Sequence, residues 1–167
     1  MTLAFRPALF PQDGDLLAEI FVRAVTELGA DYLDDDETAA WVSVADDVQA
    51  FTARLQSALT LIASRDGDPA GFIALKDNAV IDMLYVSPDA AGMGVGTALV
   101  KAVETLAAHR GAKSLSVDAS DMAEALFRKL GYAAQRRNSV DVAGVWLAST
   151  TMTKSLAKDD KDATGRH

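Results

Sequence analysis

Residues Leu84 to Leu99 read L-Y-V-S-P-D-A-A-G-M-G-V-G-T-A-L: an apolar strand that stops at a proline, crosses a glycine-rich turn and opens directly into an amphipathic helix. This order of parts makes a cradle for a phosphate. Gly92, Gly94 and Gly96 let the backbone turn without Cβ clashes and approach a ligand closely, while the unpaired N–H groups of the first helical turn face an anion. A Walker A loop needs Lys-Ser or Lys-Thr after its last glycine, and here Gly96 is followed by Thr97 and Ala98. A dinucleotide fingerprint wants glycines at 92, 94 and 97 at the start of a βαβ unit, but position 97 is Thr and no such unit begins there. Both readings fail, and a different phosphate ligand is expected.

Outward from the cradle, periodicity and turn chemistry order the chain. Leu3 to Arg6 alternates as a short strand ended by Pro7, and Asp13 or Asp15 caps a helix through Leu16, Leu17, Ile20, Phe21, Ala24 and Leu28. Thr38 to Ser57 reads as two helical pieces, one around Trp41 and one starting near Asp46. Strands come next at Leu59 to Ser64, Gly71 to Lys76 and Val80 to Val86, separated by R-D-G-D-P and K-D-N, as an antiparallel meander. Val95, Leu99, Val103 and Leu106 then form one helical stripe that ends at His109, Arg110 and Gly111. A strand from Lys113 to Asp118, a helix from Asp121 to Leu130 and strands at Ala133 to Val140 and Val145 to Lys154 complete the order β-α-α-β-β-β-α-β-α-β-β. The polar residues 155–167 offer too little apolar surface to offset their ordering entropy and are expected to be a disordered tail, leaving one domain over 3–154.

With 167 residues, half of them hydrophobic, the chain has the makings of a single core. It has no cysteine, which removes disulfides, zinc-thiolate clusters and thiol nucleophiles and fits a reducing cytoplasm. The opening M-T-L-A-F-R-P-A lacks a basic region followed by a long apolar run, and no segment has the unbroken apolar length of a membrane span, so neither secretion nor membrane insertion is expected. Acidic residues outnumber basic ones 24 to 16, for a formal charge of -8, which repels nucleic acid. No metal-ligand cluster is visible, and no metal is expected. The chain is expected to be a monomer or a homodimer.

The run G-x-G-x-x-L, preceded by an L-x-V strand end and S-P-D and followed, after a helix and a strand, by F-x-x-x-G-Y, resembles the GCN5-related N-acetyltransferase (GNAT) family. The resemblance spans residues 3–154, most closely from Ile81 to Tyr132, and the segment from Arg136 to Lys154 is similar to the C-terminal hairpin of a bacterial, YafP-like subgroup. It implies an α/β (α+β) fold: a mixed, mostly antiparallel sheet of about seven strands flanked by helices. It also implies a V-shaped gap, between the strand before the cradle and the strand after its helix, that holds the pantetheine arm of acetyl-CoA.

The activity implied by the resemblance is an acetyl-CoA-dependent transfer to a small-molecule or peptide amine, made directly in a ternary complex. By resemblance, Ala91, Gly92, Met93, Gly94, Val95, Gly96 and Thr97 border the pyrophosphate. The Leu84 amide polarises the acetyl carbonyl beside a bulge, and the Tyr85 and Val86 backbone borders the pantetheine, where side-chain identity matters little. Strand alternation puts Asp82 on the face of Val80 and Leu84 if no bulge intervenes, making it the first candidate base, with Asp118 next. Three positions depart from the family pattern. Ala91 replaces the usual Gln or Arg. Ser120 stands where Asn often follows the strand after the cradle helix. Phe127 occupies the place of the Tyr that protonates the departing thiolate. These departures keep a second reading open: a non-catalytic acyl-CoA-binding or sensing module of the same fold. Trp41 either walls the amine pocket or anchors packing, Trp146 is expected in the core, and His109 and His167 are assigned no catalysis.

Overall fold

The computed structural model describes residues 2–156. Among these, the elements run in the order β1 (Leu3–Pro7), α1 (Gly14–Arg23), α2 (Asp35–Val42), α3 (Val48–Gln56), β2 (Leu59–Arg65), β3 (Asp68–Lys76), β4 (Val80–Val86), α4 (Val95–His109), β5 (Ser114–Ser120), α5 (Glu124–Lys129), β6 (Ala133–Val142) and β7 (Val145–Ser155). A single sheet is ordered β1-β2-β3-β4-β5-β7-β6. All neighbours are antiparallel except β4 and β5, which are parallel. The mixed sheet, its strand count and the helix order agree with the sequence reading.

Helices cover both faces, which is why β2 and β3 read as near-continuous apolar runs rather than as alternation. On one face Val95, Leu99, Val103 and Ala107 of α4 and Phe127 of α5 pack on Leu61, Ile73, Ile81, Leu115 and Met152. On the other, Leu17 and Phe21 of α1 and Phe51 and Leu55 of α3 pack on Ile62, Phe72, Ala74 and Met83. Consecutive strand residues, such as Leu61 and Ile62 or Phe72 and Ile73, serve opposite clusters, as the two-residue side-chain period demands.

Local chemistry sets the helix starts. Asp34 and Glu37 form a reciprocal capping box at α2, with Asp34 Oδ1 accepting the Glu37 amide at 2.8 Å and Glu37 Oε1 the Asp34 amide at 2.9 Å. Asp47 caps α3 by accepting the Ala50 amide at 3.1 Å. Asp13 precedes α1 as expected, but its carboxylate does not cap the helix. It takes the Arg6 guanidinium at 2.7 and 3.0 Å and the Leu9 amide at 2.7 Å, tying β1 to the approach of α1.

Three expectations change. The helix expected from Asp121 begins only at Glu124, because residues 121–123 form a turn in which the Ala123 amide bonds Ser120 O and the Asp121 carboxylate reaches Arg137. Trp146, expected in the core, is 64 % exposed, because it lies opposite Asp141 on the hairpin made with edge strand β6. The last strand runs to Ser155, and the Leu156 amide bonds Lys113 O at 2.7 Å, so the tail expected from 155 onward falls, from 157, outside the described residues.

The Arg6 guanidinium, then the Leu9 amide, hold the Asp13 carboxyl below its ordinary range against the opposing effect of burial. A carboxyl whose pKa is lower in the folded than in the unfolded chain stabilises the fold above the unfolded value, and that stabilisation disappears as pH falls through the folded value. Asp13→Asn should therefore lower the unfolding free energy at pH 7 by about 1–2 kcal/mol. In urea titrations, its deficit against wild type should shrink as pH drops below about 4. A deficit constant across that range would show that the ionised form contributes nothing.

Candidate active site

The site begins where a ladder ends. Strands β4 and β5 pair only at Val80↔Ser116 and Ile81↔Val117 and then part. On its far side β5 stays bound to β7 from Ser114↔Ser155 to Ser120↔Ser149, so it is the β4 side that opens. Opposite β3, Leu75 pairs with Ile81 and Ala74 with Met83, which makes Asp82 the extra residue of a bulge. Beyond the bulge, the Ser87 amide bonds Ala70 O on the β3 side. Counting back by the strand period, Tyr85 and Met83 direct their backbone groups at β3, while Leu84 and Val86 direct theirs into the gap. The expected unengaged amide at Leu84, beside a bulge, is thus part of the architecture.

The bulge also corrects the placing of Asp82. Ile81 and Leu84 pack with the α4 cluster and Met83 and Tyr85 with the α1 cluster, so Asp82 faces the α1 side with Tyr85 and not the side of Leu84. There it meets Arg54 of α3, whose Nε and Nη2 hold its two oxygens at 2.8 and 3.0 Å. That pair raises the guanidinium's pKa against the cost of burial. Sequence spacing carries no sign of Arg54, which is 28 residues from its partner. The Tyr85 side chain also counts for more than expected. Its ring stands edge-on to Phe21 at 4.8 Å and 6.2 Å from Trp41, and burial pushes its hydroxyl well above the usual phenol range.

Two connected cavities occupy the opening. A narrow one of about 60 Å³ lies in the gap between Leu84 and Ala119, with Phe127 in its wall. A wider one of about 270 Å³ continues from it between α2, α3 and the β6–β7 hairpin. Trp41, Asp82, Tyr85, Asp118 and Ser120 line both, so Trp41 does wall this space. Asp118 Oδ1 accepts the Thr151 hydroxyl at 2.6 Å. Phe127 is 1 % exposed and meets Tyr132 edge-on at 5.2 Å, so it is both a core residue and a lining residue. Behind it the Tyr132 hydroxyl donates to Glu104 at 2.8 Å, and Lys154 donates to the same carboxylate. That phenol, raised by burial, is committed to the core.

The cradle lies directly after β4. The Ser87 hydroxyl accepts the Asp89 amide, and the Ala91 and Met93 amides bond Pro88 O and Ala90 O, each at 3.3 Å. Gly92 and Gly94 sit at φ 76° and 80° with open space where a Cβ would go. The first backbone bond of α4 runs from the Ala98 amide to Gly94 O, leaving the Val95, Gly96 and Thr97 amides at the open end of the helix. Two details differ from the sequence reading. The Met93 amide is used inside the turn. Gly96 is helical, and its smallness serves the approach of α5: a Cβ there would lie 3.1 Å from Leu126 Cδ2. Arg23, at the end of α1, grips Asp89 at 3.1 and 3.2 Å and fastens that helix to the cradle.

Residues 29–156 match the family described as the acetyltransferase (GNAT) domain. The chain belongs to the GNAT family. It is 29% identical over 142 residues to the uncharacterized N-acetyltransferase YafP of Escherichia coli (strain K12), which covers 85% of this chain and 89% of that protein. A GCN5-related N-acetyltransferase structure from Rhodopseudomonas palustris, also described as a class-II aminotransferase, superposes with a TM-score of 0.90 at 52% identity, covering 93% of this chain and 96% of the other. The PaiA N-acetyltransferase of Thermoplasma acidophilum, solved in complex with coenzyme A, shares the GNAT fold at a TM-score of 0.73 and 18% identity, over 93% of this chain and 99% of its own.

Proposed function

We propose that this GNAT protein moves the acetyl group of acetyl-CoA to a primary amine by direct attack in a ternary complex. One observation carries the reading: the parted β4–β5 ladder turns the Leu84 amide into a narrow gap that continues into a wider, acid-lined cavity, with the glycine cradle directly beyond β4. The pyrophosphate sits on the Val95, Gly96 and Thr97 amides, with the Thr97 hydroxyl adding a donor. Gly92 and Gly94 supply the turn, Ala91 and Met93 form its wall, and pantetheine runs along the Tyr85–Val86 backbone. The thioester then lies between Leu84 and Phe127, with Ser120 beside it.

In the reaction the amine nitrogen bonds to the thioester carbon, the Leu84 N–H receives the developing oxyanion, and the carbon–sulfur bond breaks. The ammonium must first lose one proton to become a nucleophile, and the second, shed from nitrogen as the amide forms, passes to the departing thiolate through water. Asp82 has both oxygens on Arg54, whereas Asp118 keeps Oδ2 without a donor among the described residues, so Asp118 takes the first proton. The Asp82–Arg54 pair shapes the wall. Phe127 offers the leaving sulfur no proton, but a thiol of pKa about 8.5 departs tolerably as thiolate near neutrality, and the Ser120 hydroxyl or water meets it. Phe127 is also what favours the second reading, a module that binds acyl-CoA without turnover. Amine-dependent release of free thiol from acetyl-CoA, monitored with a thiol-reactive dye, separates the two.

Two variants test the assignment. Coenzyme A should raise the Tm of the wild-type protein, and Gly94→Asp, which sets a carboxylate in open space at the cradle but on a left-handed backbone that lowers the basal Tm, should remove that rise while leaving a cooperative melt. A coenzyme A-induced rise that survives in Gly94→Asp places the phosphate elsewhere. Asp118→Asn should lower kcat for thiol release by about 10²-fold or more with the KM for acetyl-CoA little changed. If Asp82→Asn shows the larger loss in kcat, the base is Asp82 and Arg54 must release it during turnover.

A further inference from the structure

The wider cavity has an uneven charge pattern. Four carboxylates line it, from Glu37, Asp82, Asp118 and Asp121, against one guanidinium, Arg54. Asp82 is answered by Arg54 and Asp121 by Arg137, the latter at 2.6 and 3.0 Å. Glu37 and Asp118 are different. Glu37 Oε1 accepts the Asp34 amide and Asp118 Oδ1 the Thr151 hydroxyl, while neither carboxylate meets a cation and the second oxygen of each has no donor among the described residues. The two stand on different walls. Asp118, on β5, lines both the gap and the wider cavity, while Glu37, on α2, lines only the wider one.

Resting on the acetyltransfer reading above, we infer that the acceptor is a small aliphatic diamine or polyamine. Its reacting amine meets Asp118 at the mouth of the gap, and a second amine, which stays protonated near neutral pH, meets Glu37 in the outer cavity. Acetylation neutralises the first nitrogen only, so a second cation is what Glu37 can hold throughout turnover. Tyr32 and Trp41 also line the wider cavity, where an aromatic ring attracts an ammonium. Leu33, Val140 and Leu147 give the methylene stem an apolar lining. A volume of about 270 Å³ suits a compact molecule. An amino-acid carboxylate, by contrast, finds a single guanidinium already engaged at Nε and Nη2 and four carboxylates around it.

The test compares 1,4-diaminobutane and spermidine with n-butylamine and with alanine in acetyl-CoA-dependent thiol release. The diamine should exceed butylamine in kcat/KM by at least tenfold, an advantage that shrinks as salt rises. Glu37→Gln keeps an acceptor for the Asp34 amide, since Gln serves a capping box as Glu does, and should bring the diamine-to-butylamine ratio close to one. A ratio unchanged by Glu37→Gln, or a preference for alanine or butylamine in the wild type, overturns the inference. A thermal shift on adding 1,4-diaminobutane in the presence of coenzyme A supplies a readout independent of turnover. A shift in wild type that is lost in Glu37→Gln, with no thiol released by any amine, upholds the diamine site and overturns the catalytic reading; no shift and no preference overturns the site.

Discussion

The β4–β5 ladder spans only two register pairs, Val80↔Ser116 and Ile81↔Val117, and the rest of the site depends on that brevity. A sheet strand normally satisfies its amides along its full length, because an unpaired buried N–H is expensive. Here the Asp82 bulge breaks the pattern on the β3 side just where the β5 side lets go. The strand keeps its place because Ile81 and Met83 anchor it to opposite core clusters. The cost of polar backbone at Leu84 and Val86 without a strand partner is the one a bound thioester and pantetheine arm would offset.

The flanks hold this opening rigid. On one side α4 packs a stripe from Val95 to Ala107 into the core, so the open amides of its first turn are fixed relative to the sheet. On the other, Phe21, Phe51, Phe72 and Tyr85 form a chain of ring contacts beneath α1 and α3. The Arg23–Asp89 pair joins that second cluster's first helix to the cradle. Cradle, gap and wider cavity thus share one scaffold, as the proposed direct transfer between two bound molecules would require.

Much of this architecture is legible in the sequence where the information is local. The cradle, the apolar runs and turns of β2 to β4, the stripe of α4 and the glycine stops each arise from neighbours within a few residues. The corrections concern contacts that spacing does not encode. Asp13 looks like a cap but is claimed by Arg6 across a loop, and Asp82 looks free but is claimed by Arg54 from another element. Alternation along β4 predicts the wrong face for Asp82 because a bulge opposite Leu75 is written in the pairing of two strands and not in either one. Trp146 carries a core residue's composition on a strand whose outer neighbour is an edge, where hydrophobic identity does not decide exposure. The acceptor walls, from Tyr32 to Ser149, come from well-separated parts of the chain and leave no motif.

The insertion of β7 between β5 and β6 bears on how the protein is born. β5 meets β4 over two register pairs but meets β7 over seven, from Ser114↔Ser155 to Ser120↔Ser149. The strand that forms one wall of the gap is therefore held mainly by β7, which follows it, α5 and β6 in the chain. A nascent chain can assemble β1 to β4 and the cradle from contacts already available, yet its second wall stays without its principal partner until residue 155 has left the ribosome. Because that partner must be recruited from roughly thirty to forty residues downstream, closure of the sheet has the long loop that slows non-local pairing. The second wall of the gap is thus completed only after every other described element has been made.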